Sequence, residues 1–294
     1  MRSDGSAIDR NTRLLPASEN ADRILAEGGP RAPVLLYHHV GPSRSDIYHE
    51  LTVSPERFEQ QIQWLARHGY AGIKPSDWLR WVRDGEGLPE TPILLTFDDA
   101  YADIAEYALP ILCKYGLSGA VFVVTQRLGG TNTWDEARGC ETLQLMSAQQ
   151  IRYWAGRGIE FGAHGRTHVD LTRLSSAECE EEVTGSKNDL TAVLGSRVIS
   201  FAYPYGKYNE AVRDLVGREF DLAFTADEGI NDLRGDPRLL RRTLVCANDS
   251  LLRFALVVRS GLSIDGWRVR LGVRSRLKRL LRCLTQPASK RSSG

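Results

Sequence analysis

The chain has 294 residues, of which 42 % are hydrophobic and 26 % charged, a composition that excludes disordered, collagenous and low-complexity proteins. Its 38 basic and 37 acidic residues leave a formal net charge of +1, so no overall positive charge marks a nucleic-acid-binding protein. The five cysteines form no CxxC pair, which argues against a disulfide framework or a cysteine zinc site.

Residues 1–32 are mixed polar sequence ending in Gly28-Gly29-Pro30, and they predict a flexible N-terminal arm. The segment from Met1 to Leu14 lacks the apolar core of roughly 7–15 residues that a signal peptide carries. No apolar run approaches the roughly 18 residues needed to span a bilayer. We therefore expect a cytoplasmic protein, or one that is peripheral to the inner face of the membrane.

From Val34 onwards, short apolar runs of strand length alternate with amphipathic stretches of helix length. The predicted strands are Val34–Val40, Ile93–Asp98, Gly119–Thr125, Ile159–His164, Val198–Tyr203, Leu222–Ala226 and Thr243–Ala247. The predicted helices are Pro55–His68, Ala102–Tyr115, Ser147–Arg157, Ser176–Leu194 and Asn209–Glu219. This alternation predicts an α/β fold, a distorted (β/α) barrel of about seven parallel strands, with an open doubly wound sheet as the alternative.

Residues 33–260 are expected to form one catalytic domain, and residues 261–294 a basic C-terminal helix and tail. Between Trp267 and Leu284 the apolar residues recur at helical spacing, and the basic residues lie largely off that stripe. The apolar residues are Val273, Leu277, Leu280, Leu281 and Leu284. We favour a last helix that packs on the domain, with peripheral contact to an anionic membrane as the alternative.

Two adjacent carboxylates, Asp98 and Asp99, follow directly on an apolar strand. In β/α barrels functional side chains lie where the strands end. Buried carboxylates need a partner such as a metal, an arginine or backbone N–H groups. The alternative is a pair of aspartates that caps the start of a helix.

Another predicted strand ends at His164, and His168 follows four residues later. Two imidazoles and a carboxylate can bind one divalent metal and leave coordination positions open for water and substrate. Zn²⁺ is the expected ion for a hydrolase, and Co²⁺, Ni²⁺ or Mn²⁺ would suit the same ligands. An Fe(II) oxygenase uses a similar set, but its usual double-sheet jelly roll does not match the alternation of strands and helices.

Three further strand ends carry candidate residues. The turn from Pro204 to Gly206 could aim a backbone N–H at an oxyanion, although proline and glycine also favour a plain tight turn. His38 lies near the end of the first predicted strand, where a histidine is more often structural than catalytic. Arg242 would keep Asp98 ionised if the barrel brings the two together, and is otherwise a solvated surface residue.

Together these motifs resemble the polysaccharide deacetylases with a NodB-type homology domain, carbohydrate esterase family 4. The resemblance extends from about Val34 to Ala247 and is carried by Thr96–Asp99, His164–His168 and Phe201–Gly206. The segments Val34–His38 and Phe201–Gly206 are most similar to the branch that acts on poly-N-acetylglucosamine-type exopolysaccharides. The resemblance implies a metal-dependent hydrolase that removes acetyl groups, above all N-acetyl groups, from a carbohydrate.

The resemblance also implies a role for each matching residue. Asp98 would be the general base, and Asp99, His164 and His168 the metal ligands. The backbone N–H of Tyr205 would bind the oxyanion, with Tyr203 and Pro204 in contact with substrate. Arg242 would orient Asp98, and His38 would stand in for the general acid.

The chain departs from the family pattern at three places. Many members have an arginine in the strand before the Pro-Tyr-Gly turn, where this chain has Ala202, and Arg242 would replace it. Ala100 replaces the glycine that usually follows the two aspartates, which is tolerable if its φ angle is negative. No histidine follows His168, although most members have a late histidine that acts as general acid. An alternative function is therefore a catalytically weak or inactive carbohydrate-binding barrel that retains the metal site. The expected partner is an acetylated carbohydrate, and no basic-aromatic platform points to nucleic acid.

Overall fold

The computed structural model describes residues 31–44, 48–85, 87–138, 141–232 and 235–263. Its strands are β1 Arg31–Ala32, β2 Val34–Tyr37, β3 His39–Val40, β4 Thr52–Val53, β5 Ala71–Ile73, β6 Pro92–Phe97, β7 Ala120–Val123, β8 Glu160–Ala163, β9 Ser200–Ala202, β10 Leu222–Phe224, β11 Asn231–Asp232 and β12 Thr243–Leu244. Its α-helices are α1 Pro55–Arg67, α2 Pro75–Asp84, α3 Leu109–Lys114, α4 Ala148–Ala155, α5 Ser176–Leu194, α6 Glu210–Glu219 and α7 Leu251–Ser260.

Seven of these strands form one parallel sheet in the order β10-β9-β8-β7-β6-β2-β12. The short strand β5 also pairs in parallel, with the first half of β6. The sheet curves into a half-barrel, which confirms the prediction of a distorted barrel of about seven parallel strands. All seven of the strands predicted from the sequence are present. Six are shorter than expected, and β6 has the expected length but begins and ends one residue earlier.

The two edges of the half-barrel are joined by one segment, residues 240–245. Leu240 forms a parallel bridge with Phe224 at the β10 edge. Thr243 of β12 pairs with Leu35 of β2 at the other edge, and the N–H of Val245 donates to the carbonyl of Leu36 at 3.0 Å. Arg242 therefore lies between the two edge contacts.

The central strand β6 shows how the sheet directs side chains to the site. All six of its residues are buried, as expected for a strand covered on both faces. Ile93, Leu95 and Phe97 pack with the helices in one core cluster, whereas Leu94 packs in a second cluster inside the barrel. Because side chains alternate along a strand, the side chains of Leu94, Thr96 and Asp98 all point towards the interior.

Local sequence signals fix the helix ends. Ser54 caps α1 ahead of Pro55, and Ser175 caps α5, which ends at Gly195 as predicted. The predicted helix Ala102–Tyr115 is divided into a π-helical turn, Ile104–Ala108, and α3. Pro110 has no N–H to donate back along the helix, and the preceding turn widens so that Leu109 donates to Ile104.

Some elements were not predicted. Strand β5, helix α2 and helix α7 have no counterpart in the sequence analysis. The last two residues of the predicted arm, Arg31 and Ala32, pair with β11. The rest of the arm and the basic stretch from Trp267 to Leu284 lie outside the described residues, so the predictions for them, including membrane contact, stay predictions. Among the residues that the structure describes, no helix is long and apolar enough to cross a membrane.

Candidate metal and catalytic site

The chemically active side chains gather at the carboxyl ends of neighbouring parallel strands. Asp98 and Asp99 follow β6, His164 follows β8, and the turn at Pro204 follows β9. Parallel strands present these ends at one edge of the sheet, so residues far apart in sequence meet there.

Asp99, His164 and His168 form a buried cluster with metal-ligand geometry. The Nε2 atoms of His168 and His164 lie 3.2 Å and 3.5 Å from Asp99 Oδ1. One ligand atom from each residue lies within 4.8 Å of the other two, which suits a small divalent ion with bonds of about 2.0–2.2 Å. Within the described residues Asp99 Oδ1 accepts no hydrogen bond, although it is buried. The donor set therefore fits the expected metal.

His164 is oriented for this role by the neighbouring strand. Its Nδ1 lies 2.8 Å from the carbonyl oxygen of Ala202, so Nδ1 carries the hydrogen and Nε2 keeps its lone pair. Burial lowers the pKa of His164, which keeps the imidazole neutral and able to bind a cation. His168 packs between the rings of Trp134 and Tyr205, at centroid distances of 4.7 Å and 4.5 Å.

The electrostatics around Asp99 also favour a bound cation. Burial raises the pKa of the Asp99 carboxyl well above its usual range, and the nearby carboxylates of Asp98 and Asp135 raise it further. A carboxylate in such surroundings is costly without a compensating positive charge. A divalent ion at this position would supply that charge.

Asp98 has a compensating charge already, from Arg242. The guanidinium donates from Nη1 to Oδ1 at 2.6 Å and from Nη2 to Oδ2 at 2.8 Å. Its Nε donates to the carbonyl of Thr225 at 2.8 Å, which fixes the plane of the group. Burial raises the pKa of Asp98, but the charge and hydrogen bonds of Arg242, together with the nearby His164 and His38, outweigh it and lower the pKa to about 2. The structure thus brings the two residues together and keeps Asp98 ionised.

The backbone of the site adopts unusual angles. Within the described residues, four that are not glycine have positive φ: Asp99 (67°), Ala100 (55°), His168 (62°) and Tyr205 (58°). The condition under which alanine would fit without strain, a negative φ at Ala100, is therefore not met, because the chain turns sharply at Asp99 and Ala100. Conformations of this kind cost about 1–3 kcal/mol each and persist where surrounding contacts impose them.

The turn after β9 places Tyr205 beside His168. Gly206, with φ +66°, is required there, since a Cβ would lie 2.4 Å from the Cβ of Ala226. Pro204 is buried at the start of the turn. Tyr203 is fully buried, and its hydroxyl donates to the carbonyl of Arg238 at 3.0 Å. Its side chain supports the turn from within the core and does not face the solvent.

The two histidines after β2 differ in their surroundings. His39 is fully buried, and its Nδ1 lies 2.9 Å from Asp103 Oδ2, which makes it a structural residue. His38 is half-buried and lies within electrostatic reach of Asp98, Arg242 and His164. Loss of hydration lowers the pKa of His38 to about 4, against the opposing effect of Asp98. His38 is therefore neutral near pH 7.

An open cavity of about 650 Å³ leads to the cluster. His168 and Tyr205 line it, together with loop residues that the sequence analysis did not identify. The most prominent of these are Arg127, Trp134, Asp170 and Lys207. They follow three different strands, and no spacing in the sequence marks them as neighbours.

Known proteins with similar sequences are polysaccharide deacetylases. Residues 85–219 match the sequence model of the family described as polysaccharide deacetylase. The chain is 26 % identical over 212 residues to the poly-beta-1,6-N-acetyl-D-glucosamine N-deacetylase of Staphylococcus epidermidis, covering 68 % of this chain and 69 % of that protein. The matched part of the chain spans 55–69 % of the length of its curated relatives.

Solved structures share the fold. The deacetylase PplD of Streptococcus pyogenes, in complex with acetate, matches with a TM-score of 0.67 and 25 % identity, over 78 % of this chain and 98 % of that one. IcaB from Ammonifex degensii matches with a TM-score of 0.66 and 25 % identity, over 79 % of this chain and 97 % of that one. The half-barrel thus has counterparts among structures of deacetylases.

Proposed function

We propose that the chain is a polysaccharide deacetylase, a metal-dependent hydrolase that removes N-acetyl groups from a carbohydrate polymer; its residues 85–219 match the model of that family. The observation that carries the proposal is the cluster of Asp99, His164 and His168 beside an ionised Asp98. A metal ion that activates water beside a carboxylate base can hydrolyse an acetamide.

Asp99, His164 and His168 would hold the divalent ion, which we propose is Zn²⁺, although the donors would also suit Co²⁺, Ni²⁺ or Mn²⁺. When bound, such an ion polarises the acetyl carbonyl and lowers the pKa of a coordinated water. The Nδ1 contact of His164 with Ala202 keeps the ring in the tautomer that binds metal.

Asp98 is proposed as the general base. Arg242 keeps its carboxylate ionised and fixes its direction, so that it can take a proton from the attacking water. The backbone N–H of Tyr205, in the turn beside His168, is proposed to stabilise the oxyanion of the tetrahedral intermediate.

The leaving amine requires a proton, and we propose that His38 delivers it. His38 is neutral at rest, so it would first accept the proton that Asp98 takes from the attacking water and then pass it to the amine. His38 is the histidine that shares the electrostatic surroundings of Asp98 and His164 without binding to the cluster. His38→Ala is expected to lower kcat while zinc affinity stays unchanged, because the residue is not part of the ligand set. An unchanged kcat would exclude this role.

The proposed substrate is a poly-N-acetylglucosamine-type exopolysaccharide. The support is the likeness to the Staphylococcus epidermidis enzyme, which is named for that polymer, and the open cavity beside His168. We propose that the sugar next to the scissile acetamide lies against Tyr205 and Pro204, the residues of the turn that borders the cavity.

The test is acetate release from N-acetylglucosamine oligomers by metal-stripped and zinc-restored protein. Release that depends on zinc and falls by at least about 100-fold in Asp98→Asn would support the proposal. Asp214→Asn, on the surface of α6, is the matched control and should release acetate at the parental rate. Release by the metal-stripped protein, or an undiminished rate in Asp98→Asn, would contradict it.

A second candidate function is a carbohydrate-binding barrel with little or no turnover. It is favoured by two observations: no histidine follows His168 in the sequence, and His38 is neutral near pH 7. A binding protein should hold the oligomer equally well as Asp98→Asn and release no acetate in either form. Measuring oligomer affinity alongside acetate release separates the two functions.

A further inference from the structure

The loop from His164 to His168 is held by the carboxylate of Glu182, on the buried face of α5. Glu182 Oε2 accepts the backbone N–H of Arg166 at 2.7 Å and that of Thr167 at 3.0 Å. Its Oε1 accepts the hydroxyl of Thr167 at 2.5 Å. Two successive N–H groups directed at one anion, together with a hydroxyl, form a strong charge-assisted contact.

The opposite side of the same backbone is also fixed. The carbonyls of Gly165 and Arg166 accept the N–H groups of Thr125 at 3.2 Å and Gln126 at 3.0 Å. Gly165 has φ +75°, and a Cβ there would lie 3.1 Å from Glu182 Oε2, so the carboxylate packs directly against the backbone. The loop is therefore clamped between Glu182 and the segment that follows β7.

This clamp acts next to a residue with an unfavourable conformation. His168 has φ +62°, which a histidine adopts only where its surroundings impose it. If the loop relaxed, His168 would leave the position in which its Nε2 lies 3.2 Å from Asp99 Oδ1.

We propose that Glu182 is a positioning residue. It holds His168 where its Nε2 can bind the same metal ion as Asp99 and His164, and so determines the metal affinity of the chain. This inference rests on the proposed metal-dependent function. Other acidic residues of α5 contact the same loop differently: Asp189 and Glu181 pair with the side chain of Arg166 and are 33 % and 70 % exposed. Glu182 is 9 % exposed and binds the backbone itself.

The experiment measures zinc affinity of the full chain by competition with a chromophoric chelator. Glu182→Ala is expected to bind zinc about 10–100-fold more weakly, the usual loss when a residue that supports metal ligands is removed. Glu182→Gln keeps the size of the side chain and one oxygen that can accept both N–H groups, and its NH2 can donate to the Thr167 hydroxyl, so it should stay within about threefold of the parent. The matched control is Glu180→Ala, an exposed glutamate of the same helix, which should bind zinc as the parent does.

The metal-free variants are also compared by circular dichroism and thermal melting, since a positioning role predicts a change in metal affinity beyond any change in stability. A zinc affinity of Glu182→Ala equal to that of Glu180→Ala would overturn the proposal. Should Glu182→Ala fail to fold, Thr167→Val removes one donor of the same contact and should weaken zinc binding several-fold; parental affinity would overturn the proposal.

Acetate release is recorded separately from zinc affinity. A parent that binds zinc and releases no acetate would contradict the proposed function and leave the role of Glu182 to be decided by the affinities. A parent that releases acetate, with Glu182→Ala binding zinc normally, would contradict only the role of Glu182. A parent that binds no zinc would overturn both.

Discussion

Arg242 and Asp98 stand 144 positions apart in the sequence and form a buried, bidentate ion pair. The two side chains are 1 % and 5 % exposed. A buried charge is tolerated only with a partner, so each of these residues makes the burial of the other possible. The pair joins the central strand β6 to the segment that closes the half-barrel.

Removing the guanidinium should therefore reduce stability as well as activity. Arg242→Met leaves the carboxylate of Asp98 buried without a counter-charge, and we expect the free energy of unfolding to fall by about 3–5 kcal/mol. Urea denaturation at pH 7 measures this. Arg241→Met, at the exposed neighbouring arginine, is the control and should change stability by no more than about 0.5 kcal/mol. Equal effects of the two substitutions would show that the ion pair is not required.

Zinc should stabilise the folded chain, because the ligand cluster exists only in the folded state. At a free zinc concentration of 100 times Kd, binding contributes about 2.7 kcal/mol, and the melting temperature should rise by roughly 5–10 °C. A chelator should reverse the rise. His168→Ala should lose it, whereas His68→Ala, at an exposed histidine on the end of α1, should keep it. A rise that survives in His168→Ala would place the zinc elsewhere.

Alanine substitutions at two glycines with nearly equal φ angles distinguish the free-energy cost of a left-handed backbone from the cost of a close contact. Gly195 (φ +68°) ends α5 in open space, whereas a Cβ at Gly206 (φ +66°) would meet Ala226 at 2.4 Å. Gly195→Ala should cost about 1 kcal/mol, from the left-handed conformation alone. Gly206→Ala should cost about 1–3 kcal/mol more, because the turn must shift. Chemical denaturation of both variants measures the difference in their free energies of unfolding. Equal losses would mean that the turn at Gly206 can shift to accept a Cβ at no cost.

Glu160 should make stability depend on pH. Burial raises the pKa of its carboxyl in the folded chain above the usual 4.5, partly offset by the N–H of Ser76. The folded state then binds the proton more tightly, so the stability that this group contributes is present at low pH and is lost as pH rises through the raised value. Glu160→Gln should therefore be more stable than the parent at pH 7, and the difference should shrink towards pH 4.5.

Denaturation curves at several pH values between 4.5 and 8 check this expectation. Gln can still accept the N–H of Ser76, which Glu160 Oε2 accepts at 3.1 Å, so the hydrogen bond is preserved while the charge is removed. Glu180→Gln, on the exposed surface of α5, is the control for the loss of one negative charge. A stability difference between Glu160→Gln and the parent that does not change with pH would contradict a raised pKa for Glu160.

The seven main strands and their parallel arrangement were predictable because each strand is a short apolar run with a clear end. The same regularity predicted that Asp98, Asp99 and His164 lie near one another, since all of them follow parallel strands. Strand β5 was missed because its three residues, Ala71–Ile73, are too few to show a periodic pattern.

Contacts made by loops and by the closing segment could not be predicted in this way. The ion pair of Arg242 and Asp98 depends on which strand lies at each edge of the sheet, a property of the whole fold. The positive φ of Ala100 arises from the turn after β6, and alanine itself gives no signal for it. Glu182 lies in a run of three glutamates, and only the packing of α5 shows which one faces the loop.

The segment formed by residues 240–245 has a consequence for how the site is assembled during folding. It contacts both edges of the sheet and carries the counter-charge of Asp98, yet it comes late in the chain. Contacts between residues so far apart in sequence form slowly, because a long loop must close first. During synthesis the strands up to β10 would emerge before Arg242, with the carboxylate of Asp98 still unpaired. The last strand thus completes the sheet and the catalytic site in one step, so that a chain ending before Leu240 would lack both.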